Sequence, residues 1–425
     1  MNPPSFKPKM VDYLGAHLPL SMFAFADDMD TLANRMIVML LEKEGEIDGK
    51  FSKPCTTAIS LLHKFFTSSF EFKPTLSSVL DAYDKRISDH TDEQKKILEF
   101  TSTQNQALIF GGAGTGKTFL AHEKARDFSN QGLNTLLLYF NSPITRESRR
   151  NLRGIANLTV KSFHEFCYDA VELAGITTAY DNNKELFDRI LPEALEKALS
   201  DERIQLFDAI IIDEAQDLKE TWLETLLLCL KNLETGKIFV FSDDNQNLYE
   251  NANNFPEILG CQPLTLTKNV RNTERIFSFC KNFYSGITSS SFDFDGPEIR
   301  YESVGVNRPG KNLVKLLLKL RDVEGISWGN ISVLSMHSRE KSKYYSDIEG
   351  ISIAAGDERK ENKIIFDSAF RFKGLESQVV IVVDVDGHAE NKALQYVAAS
   401  RARTLLIYCG EKEYAGRFIS IIKKH

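Results

Sequence analysis

The stretch with the clearest chemical pattern is residues 111–118, which read GGAGTGKT and fit the spacing G-x-x-x-x-G-K-T. An apolar, strand-like run precedes it at residues 107–110, and a helix-like segment follows at residues 119–125. Glycines let a backbone wrap around a phosphate with its N–H groups pointing inward, and the following helix turns its positive end toward the same anion. The pattern therefore predicts a binding loop for the phosphates of a nucleotide rather than a chance glycine-rich turn. Its members are Gly111, Gly112, Ala113, Gly114, Thr115, Gly116, Lys117 and Thr118.

Two adjacent carboxylates, Asp213 and Glu214, follow a continuous apolar run at residues 209–212. Such a run is typical of a strand buried on both faces of a parallel sheet. In an enzyme with this phosphate loop, Lys117 reaches the outer phosphates, while Thr118 and the first carboxylate hold Mg²⁺. The second carboxylate accepts a proton from the attacking water as general base. The sequence thus predicts ATP and Mg²⁺ as cofactors, and an ordinary loop start is the competing interpretation.

Bulk composition narrows the class of protein. The 425 residues are enough for two or three domains, and contents of 42% hydrophobic and 26% charged residues are ordinary for a globular protein. The sequence shows no apolar run of membrane-spanning length and no signal-peptide core. Six cysteines without a C-x-x-C pair argue against a zinc site and fit a reducing cytoplasm. The net charge of −7 means that nucleic-acid binding would need a local basic surface.

One segment could supply that surface. A predicted strand at residues 135–140 is followed by a basic group, and this group could hold phosphates while Phe140 or Phe163 stacks on bases. The competing interpretation is a solvated helix face with aromatic residues in the core. Nearby, His164 is more typical of a structural histidine than of a catalyst. The basic group consists of Arg146, Arg149, Arg150, Arg153 and Lys161.

The pattern of elements predicts an α/β fold in three parts. Residues 1–88 form a leading region of unknown role, with helix-like spacing at 29–44 and 56–66. Residues 89–270 carry the phosphate loop and the carboxylate pair. Residues 271–425 form a second α/β unit without a phosphate loop. Its strand-like runs are 298–303, 331–336, 363–366, 379–384 and 404–409, with helix-like segments that include 310–321 and 391–401.

Taken in order, these segments resemble the motif series of superfamily 1 helicases of the UvrD/Rep/PcrA type, from about residue 94 to residue 410. The resemblance implies two RecA-like domains with parallel sheets and ATP in the cleft between them, after a mainly helical N-terminal region. The segments that carry it read TDEQ, GGAGTGKT, YFNSPIT, TVKSFHEFC, IIDEAQD, SDDNQNLY, LTKNVRNTERI, FRFKGLESQVVIV and YVAASRAR.

The resemblance also implies roles for single residues. Gln94 would read adenine, a role that can coexist with its place in a capping box with Thr91. Glu376 would contact the nucleotide, and Gln246 would couple the γ-phosphate to DNA. Arg271 and Arg401 would be arginine fingers from the second domain, which complete the charge clamp when the cleft closes. The residues implied to face single-stranded DNA are Phe140, Asn141, Phe163, His164 and Tyr249.

Departures from the family pattern are also present. Val270 stands where these helicases have a tyrosine that stacks on adenine, and short intervals between the motifs leave little room for accessory subdomains. Residues 47–66 resemble the end of a nuclease-related domain that precedes some helicase cores, without its metal-binding acids. Processive unwinding is therefore less expected than translocation.

The implied function is an ATP-dependent helicase or translocase on single-stranded DNA, 3′ to 5′, in DNA repair or phage defence. RNA stays open as the polynucleotide, and so does a protein partner; no membrane partner is expected. The alternative is an ATP-gated nucleic-acid- or partner-binding module without processive unwinding. Burial of Phe140, Phe163 and Tyr249 in the core would favour that alternative. An unrelated P-loop enzyme, such as a small-molecule kinase, is the third interpretation.

Overall fold

The structure is a computed structural model, and all its described residues belong to the unit of the chain that covers residues 74–425. The expected N-terminal helical region and the nuclease-like segment lie outside the described residues, up to residue 75. The described residues run from 76 to 414, except for 89–91, 177–184, 202, 244–253, 284–289, 292–293, 305–307, 346–347, 349, 357, 359 and 389–390.

Helices surround two sheets in this part of the chain. Each helix described is too short or too polar to cross a lipid bilayer. A short π-helical segment, Leu186–Ile190, leads into the sixth helix. The α-helices are α1 (Leu76–Ser88), α2 (Asp92–Phe100), α3 (Lys117–Asn130), α4 (Ser142–Asn151), α5 (Phe163–Leu173), α6 (Leu191–Ala198), α7 (Glu220–Leu227), α8 (Phe255–Leu259), α9 (Glu274–Cys280), α10 (Pro309–Asp322) and α11 (Lys392–Ala399).

The first sheet is entirely parallel. Its strands are β1 (Gln106–Gly111), β2 (Thr135–Tyr139), β3 (Leu158–Ser162), β4 (Ala209–Asp213), β5 (Lys237–Ser242) and β6 (Leu264–Leu266). They lie in the order β3-β2-β4-β5-β1-β6. Strand β5 pairs with both β1 and β4, so whatever follows β5 lies between the phosphate loop and the carboxylate pair.

The second sheet is also parallel. Its strands are β7 (Arg300–Val304), β8 (Ile331–Ser335), β9 (Ile353–Ala354), β10 (Ile364–Ser368), β11 (Ser377–Val383) and β12 (Ala402–Glu411). They lie in the order β7-β12-β11-β8-β10-β9. The predicted α/β class is confirmed, and the two sheets with their helices are two RecA-like domains. We call them the first and the second domain; the exact domain boundaries proposed from the sequence stay a prediction.

Burial explains why the central strands were recognisable. Every residue of β2, β4 and β11 is buried, as expected for strands covered on both faces. Strands β3 and β6 were not predicted from the sequence, because β3 is only half-buried and β6 has three residues. Helix α1 comes from the part expected to stand apart before residue 89. Its Leu76 and Leu80 nevertheless lie in the same hydrophobic cluster as Leu313 and Leu317 of α10 and the strands of the second sheet.

Candidate nucleotide site

The phosphate loop connects β1 to α3 and requires glycine at two positions. Gly114 and Gly116 have φ angles of +81° and +93°, in the left-handed region that favours glycine. A Cβ at Gly116 would also lie 1.9 Å from the Gln94 amide nitrogen. The same amide donates to the Thr115 carbonyl oxygen at 3.4 Å, which places Gln94 against the loop. Its expected adenine contact stays a prediction.

The side chain of Lys117 is buried beneath the loop. Its ammonium donates to the carbonyl oxygens of Gly111 and Gly112 at 2.5 and 2.9 Å and pairs with Asp243 at 3.3 Å. Asp243 reaches this position because it follows β5, the strand between β1 and β4. It was not among the residues expected in the site, although its place at the end of a parallel strand was a usable signal.

The carboxylate pair lies at the end of β4. One oxygen of Asp213 accepts the Glu214 N–H at 3.0 Å, whereas the other, Oδ2, is buried without a hydrogen-bond partner among the described residues. Burial and the neighbouring charge of Glu214 raise the pKa of Asp213. Buried oxygens usually find a partner. The unsatisfied Asp213 Oδ2 therefore suits a cation.

The electrostatics of Glu214 are different. Its φ of +56° places this non-glycine residue in the left-handed region, a backbone strain typical of functional sites. Burial by itself would raise the pKa of the Glu214 carboxyl. Three positive side chains outweigh that effect and lower it, namely Lys373, Lys117 and Arg401. Glu214 is thus held as a carboxylate that can accept a proton.

These features fit a magnesium nucleotide. Asp213 Oδ2 and the Thr118 hydroxyl would hold Mg²⁺, since hard cations prefer oxygen ligands. The N–H groups of the glycine cradle and Lys117 would hold the phosphates. The bound Mg²⁺ would supply positive charge that favours the ionised form of Asp213 and neutralises charge on the phosphates.

The candidate arginine finger Arg401 is almost fully buried, with 2% of its surface exposed. Its guanidinium donates to the carbonyl oxygens of Val397 and Leu375 at 3.1 and 3.4 Å and to the Ser400 hydroxyl at 3.2 Å. No carboxylate among the described residues forms an ion pair with it. Glu214 and Asp243 attract it only at longer range. A buried cation without a contacting counter-ion is costly, so its position points to an anionic ligand.

The second candidate finger, Arg271, is partly exposed and forms an ion pair with Glu376. The adjacent segment lies on the phosphate loop, where the Val270 N–H donates to the Gly114 carbonyl oxygen at 2.8 Å. The Asn269 amide donates to the Ala113 carbonyl oxygen at 2.9 Å. The polypeptide that joins the two domains therefore packs directly on the nucleotide loop.

Tyr396 makes a contact of the same kind from α11. Its hydroxyl oxygen accepts the backbone N–H of Ala113 at 2.8 Å, across 283 positions of sequence. The donor belongs to the loop that is expected to bind phosphate. Tyr396 is part of the sequence YVAASRAR but received no role from the sequence.

Residues 371–376 reach from the second domain into the first. The Lys373 ammonium forms a buried ion pair with both oxygens of Asp217 at 2.7 Å. The Asn141 amide donates to the carbonyl oxygens of Arg371 and Lys373 at 3.1 and 3.0 Å. Gly374 has a φ of +82°, and a Cβ there would lie 3.5 Å from the Glu214 carboxylate. This segment therefore lies directly beside the candidate base.

The buried pair supports a stability prediction. In the variant Lys373→Met, Asp217 is left buried without its counter-ion, so we expect the free energy of unfolding to fall by about 3–5 kcal/mol. Burial already raises the pKa of Asp217 to about 6, although Lys373 opposes this. Without Lys373 that pKa rises further. The penalty comes from the charged form, so it is largest above the raised pKa of the variant, shrinks as the pH falls toward 6, and is largely lost below 6, where Asp217 is protonated in both proteins.

Urea denaturation at pH 5 and pH 7.5 measures the loss of stability in Lys373→Met and its dependence on pH. Lys315→Met, on the exposed face of α10, is the matched control and should change little. The double variant Asp217→Asn, Lys373→Met should recover most of the stability, because no unpaired charge remains. A loss that is the same at both pH values and in the double variant would contradict this account.

The residues expected to face DNA fall into three groups. Phe163 has no exposed surface and stacks on Trp222 at 4.8 Å, as in the competing interpretation of an aromatic residue in the core. Packing between α5 and α7 accounts for this, since burying two apolar rings is favourable. Its expected role toward DNA stays a prediction. Phe140 and His164 are partly buried around the same tryptophan. Tyr249, like Gln246, lies outside the described residues.

His164 and Asn141 are engaged within the protein. The His164 ring nitrogen Nε2 lies 3.2 Å from the Phe187 carbonyl oxygen, in agreement with a structural histidine. Asn141 donates to the second domain as described above. Neither contact tests binding to DNA, so that role stays a prediction for both residues.

The four arginines of the basic group line a groove of about 1100 Å³ between the two domains. Arg149 also pairs with Glu165, whereas the exposed Arg150 and Arg153 form no ion pair among the described residues. Lys161 pairs with Asp169 and does not line the groove. Among the residues that the structure describes, six positive side chains and one negative side chain line the groove. The negative side chain is Glu358. The positive side chains are Arg146, Arg149, Arg150, Arg153, Lys360 and Arg371.

Comparison with known proteins agrees with the site. A family model described as an AAA domain matches residues 94–252, which include the phosphate loop, Asp213 and Glu214. No curated protein matches the chain. The matched residues contain the nucleotide site, and the two findings together support a P-loop NTPase domain in this part of the chain.

Proposed function

We propose that this protein is a nucleic-acid-dependent ATPase of the UvrD/Rep/PcrA type that couples hydrolysis to movement on single-stranded DNA, 3′ to 5′. The observation that carries the proposal is the position of residues 371–376. Arg371 lines the basic groove, Lys373 is bound to Asp217, and Gly374 lies beside Glu214. A single short segment therefore connects a polyanion-sized groove to the catalytic carboxylate.

The groove is suited to a phosphate backbone. The described residues of its lining carry six positive charges and one negative charge, a net charge of +5, although the whole chain is acidic. Clustered Arg and Lys supply the sequence-independent part of nucleic-acid affinity. Because one wall comes from α4 of the first domain and the other from residues 355–371 of the second, a change in the domain angle alters the groove. We infer that such changes accompany the ATPase cycle.

The residues divide the work of hydrolysis as follows. Lys117 and the loop N–H groups bind and orient the phosphates. Glu214, held ionised by its positive neighbours, takes the proton of the attacking water. Arg401 neutralises charge that develops on the transferred phosphate, and Arg271 joins it after leaving Glu376. Arg271 lies in the segment that joins the two domains, and Arg401 lies in the second domain. Closure of the cleft between the domains therefore completes the site.

The first test is ATP hydrolysis with and without a single-stranded DNA oligonucleotide. We expect DNA to stimulate ATP hydrolysis strongly, and we expect Lys117→Ala to lose hydrolysis both with and without DNA. Stimulation would lead to strand-displacement assays with 3′ and 5′ overhangs and to an RNA oligonucleotide of the same sequence. Robust hydrolysis that ignores both polynucleotides would contradict the proposal.

A separate prediction concerns the binding of DNA in the basic groove. We expect Arg150→Glu to weaken the apparent affinity for single-stranded DNA about tenfold and to reduce the salt dependence of binding, while ATP hydrolysis without DNA is unchanged. Fluorescence anisotropy at several salt concentrations measures it. Lys197→Glu, an equal change of charge on the exposed face of α6, is the control. Equal weakening by both variants would show a general charge effect and no binding groove.

One observation favours a second candidate, the ATP-gated binding module without processive unwinding. Phe163 is in the core and Phe140 is partly buried, so the aromatic stacking surface expected of a translocase is smaller than the motifs suggest. The basic groove would then bind its partner statically, with ATP setting the domain angle. Binding that responds to ATP, combined with DNA-stimulated hydrolysis too slow to displace any strand, would support this candidate.

A further inference from the structure

Helix α1 places Asp84 beside a row of charges at the edge of the nucleotide site. Its carboxylate pairs with Arg403 and accepts a hydrogen bond from the Gln378 amide. Arg403 in turn lies 3.6 Å from one oxygen of Glu376, and the other oxygen of Glu376 pairs with Arg271. The alternating charges therefore join a helix outside the motif series to a candidate arginine finger.

The helix is anchored firmly enough to fix Asp84. Tyr83, the preceding residue, is fully buried, with its ring edge against Phe294 at 5.6 Å. The Arg403 guanidinium lies over the Tyr83 ring, 5.6 Å from its centroid. Leu76 and Leu80 are buried in the hydrophobic cluster of the second domain. Asp84 therefore moves with the second sheet.

Two arginines share Glu376 in this arrangement, each on a different carboxylate oxygen. Arg403 already has a carboxylate partner in Asp84, and its guanidinium stays at 3.6 Å from Glu376. Among the described residues, Arg271 forms an ion pair with Glu376 only. Because Asp84 satisfies Arg403, Glu376 is left to hold Arg271.

We propose that Asp84 is a positioning residue that restrains the arginine finger. By neutralising Arg403 it keeps Arg271 on Glu376, so Arg271 does not engage the γ-phosphate until the second domain moves. The inference rests on the proposed ATPase function and adds a brake on hydrolysis in the absence of nucleic acid. The segment carrying Asp84 leads, within ten positions, to Gln94 at the phosphate loop, so the brake and the adenine contact lie on adjacent helices.

The test uses the full chain with Asp84→Asn. The neutral amide can still accept a hydrogen bond from Arg403 but no longer neutralises its charge. Arg403 is then drawn more strongly to Glu376, and Arg271 is released. We expect ATP hydrolysis without nucleic acid to rise about threefold to fivefold, the size expected for one partly exposed ion pair. The rate at saturating single-stranded DNA should stay the same, so the stimulation ratio falls by the same factor. A residue with only a structural role would lower both rates.

A second substitution makes the test specific. Asp84→Asn combined with Arg403→Gln removes the competing cation, so the basal rate should return to that of the wild type. Asp81→Asn, an exposed carboxylate one turn earlier on α1, is the control and should change neither rate. If Asp84→Asn does not fold, Arg403→Gln alone must give a basal rate at or below that of the wild type.

Several results would overturn the inference. One is a basal rate of ATP hydrolysis in Asp84→Asn that is unchanged or reduced. Another is a basal rate in the double variant that stays above that of the wild type. The third is a basal rate in Arg403→Gln that exceeds that of the wild type. Failure of the proposed function looks different, because the wild-type protein would then show no ATP hydrolysis or none that responds to nucleic acid. If DNA stimulates ATP hydrolysis by the wild type and Asp84→Asn has the same basal rate as the wild type, the role of Asp84 is overturned and the proposed ATPase function stands.

Discussion

Arg401→Met should abolish nearly all ATP hydrolysis while leaving the protein as stable as before or more stable. Arginine fingers are worth about 10³-fold or more in turnover. The buried guanidinium forms no ion pair among the described residues, so removing its charge removes a large desolvation cost. We expect this gain to offset the loss of its hydrogen bonds and of its longer-range attraction to Glu214. The methionine side chain fills much of the same space. Loss of activity without loss of stability is the signature of a group kept for a ligand.

Single-turnover hydrolysis measures the loss of activity, and urea denaturation of the same preparation measures the free energy of unfolding. Arg321→Met, an exposed arginine on α10 of the second domain, is the matched control and should retain full activity. Nucleotide binding, followed with a fluorescent ATP analogue, should be weakened far less than turnover. A parallel loss of stability and activity in Arg401→Met would mean that the arginine serves the packing of the domain and not the phosphate.

Glu214→Gln should reduce turnover about 10² to 10⁴-fold and leave ATP binding intact or tighter. The amide cannot accept a proton from water, which accounts for the loss. Tighter binding is expected because Lys117, Lys373 and Arg401 lose one negative neighbour and attract the anionic nucleotide more strongly. The Gln216 amide, which bonds the Glu214 carboxylate, can donate equally to the oxygen of a glutamine.

Glu224→Gln on the exposed face of α7 is the matched control, since it makes the same chemical change ten positions later. Equilibrium binding and single-turnover hydrolysis of radiolabelled ATP separate affinity from chemistry. Residual turnover within a few-fold of the wild type would exclude Glu214 as the base. Asp243, which is buried beside Lys117, would then be the next carboxylate to test.

Sequence patterns predicted the positions of the phosphate loop and the carboxylate pair, each of which depends on one strand and the loop that follows it. Residues 107–110 and 209–212 were recognised as strands, and parallel strands carry functional groups at their carboxyl ends, so the phosphate loop and Asp213–Glu214 meet at one edge of the sheet. The two parallel α/β units followed from the alternation of strands and helices, confirmed by the sheets.

Contacts between distant segments could not be predicted in this way. The Lys117–Asp243 pair depends on β5 lying between β1 and β4, and the Asp217–Lys373 pair joins residues 156 positions apart. Phe163 was expected at a DNA surface because its motif position suggested it, but the ring that covers it belongs to Trp222 on another helix. Asp84 received no role for the same reason.

By itself, the sequence determined the nucleotide loop, the carboxylate pair and the α/β class, because these follow from backbone periodicity and from residue spacing within single elements. Only the tertiary structure decided which side chains are buried, which charges are paired and which segments cross between the domains. Those outcomes depend on strand order and on the packing of helices that are far apart in the chain, and no local pattern specifies them.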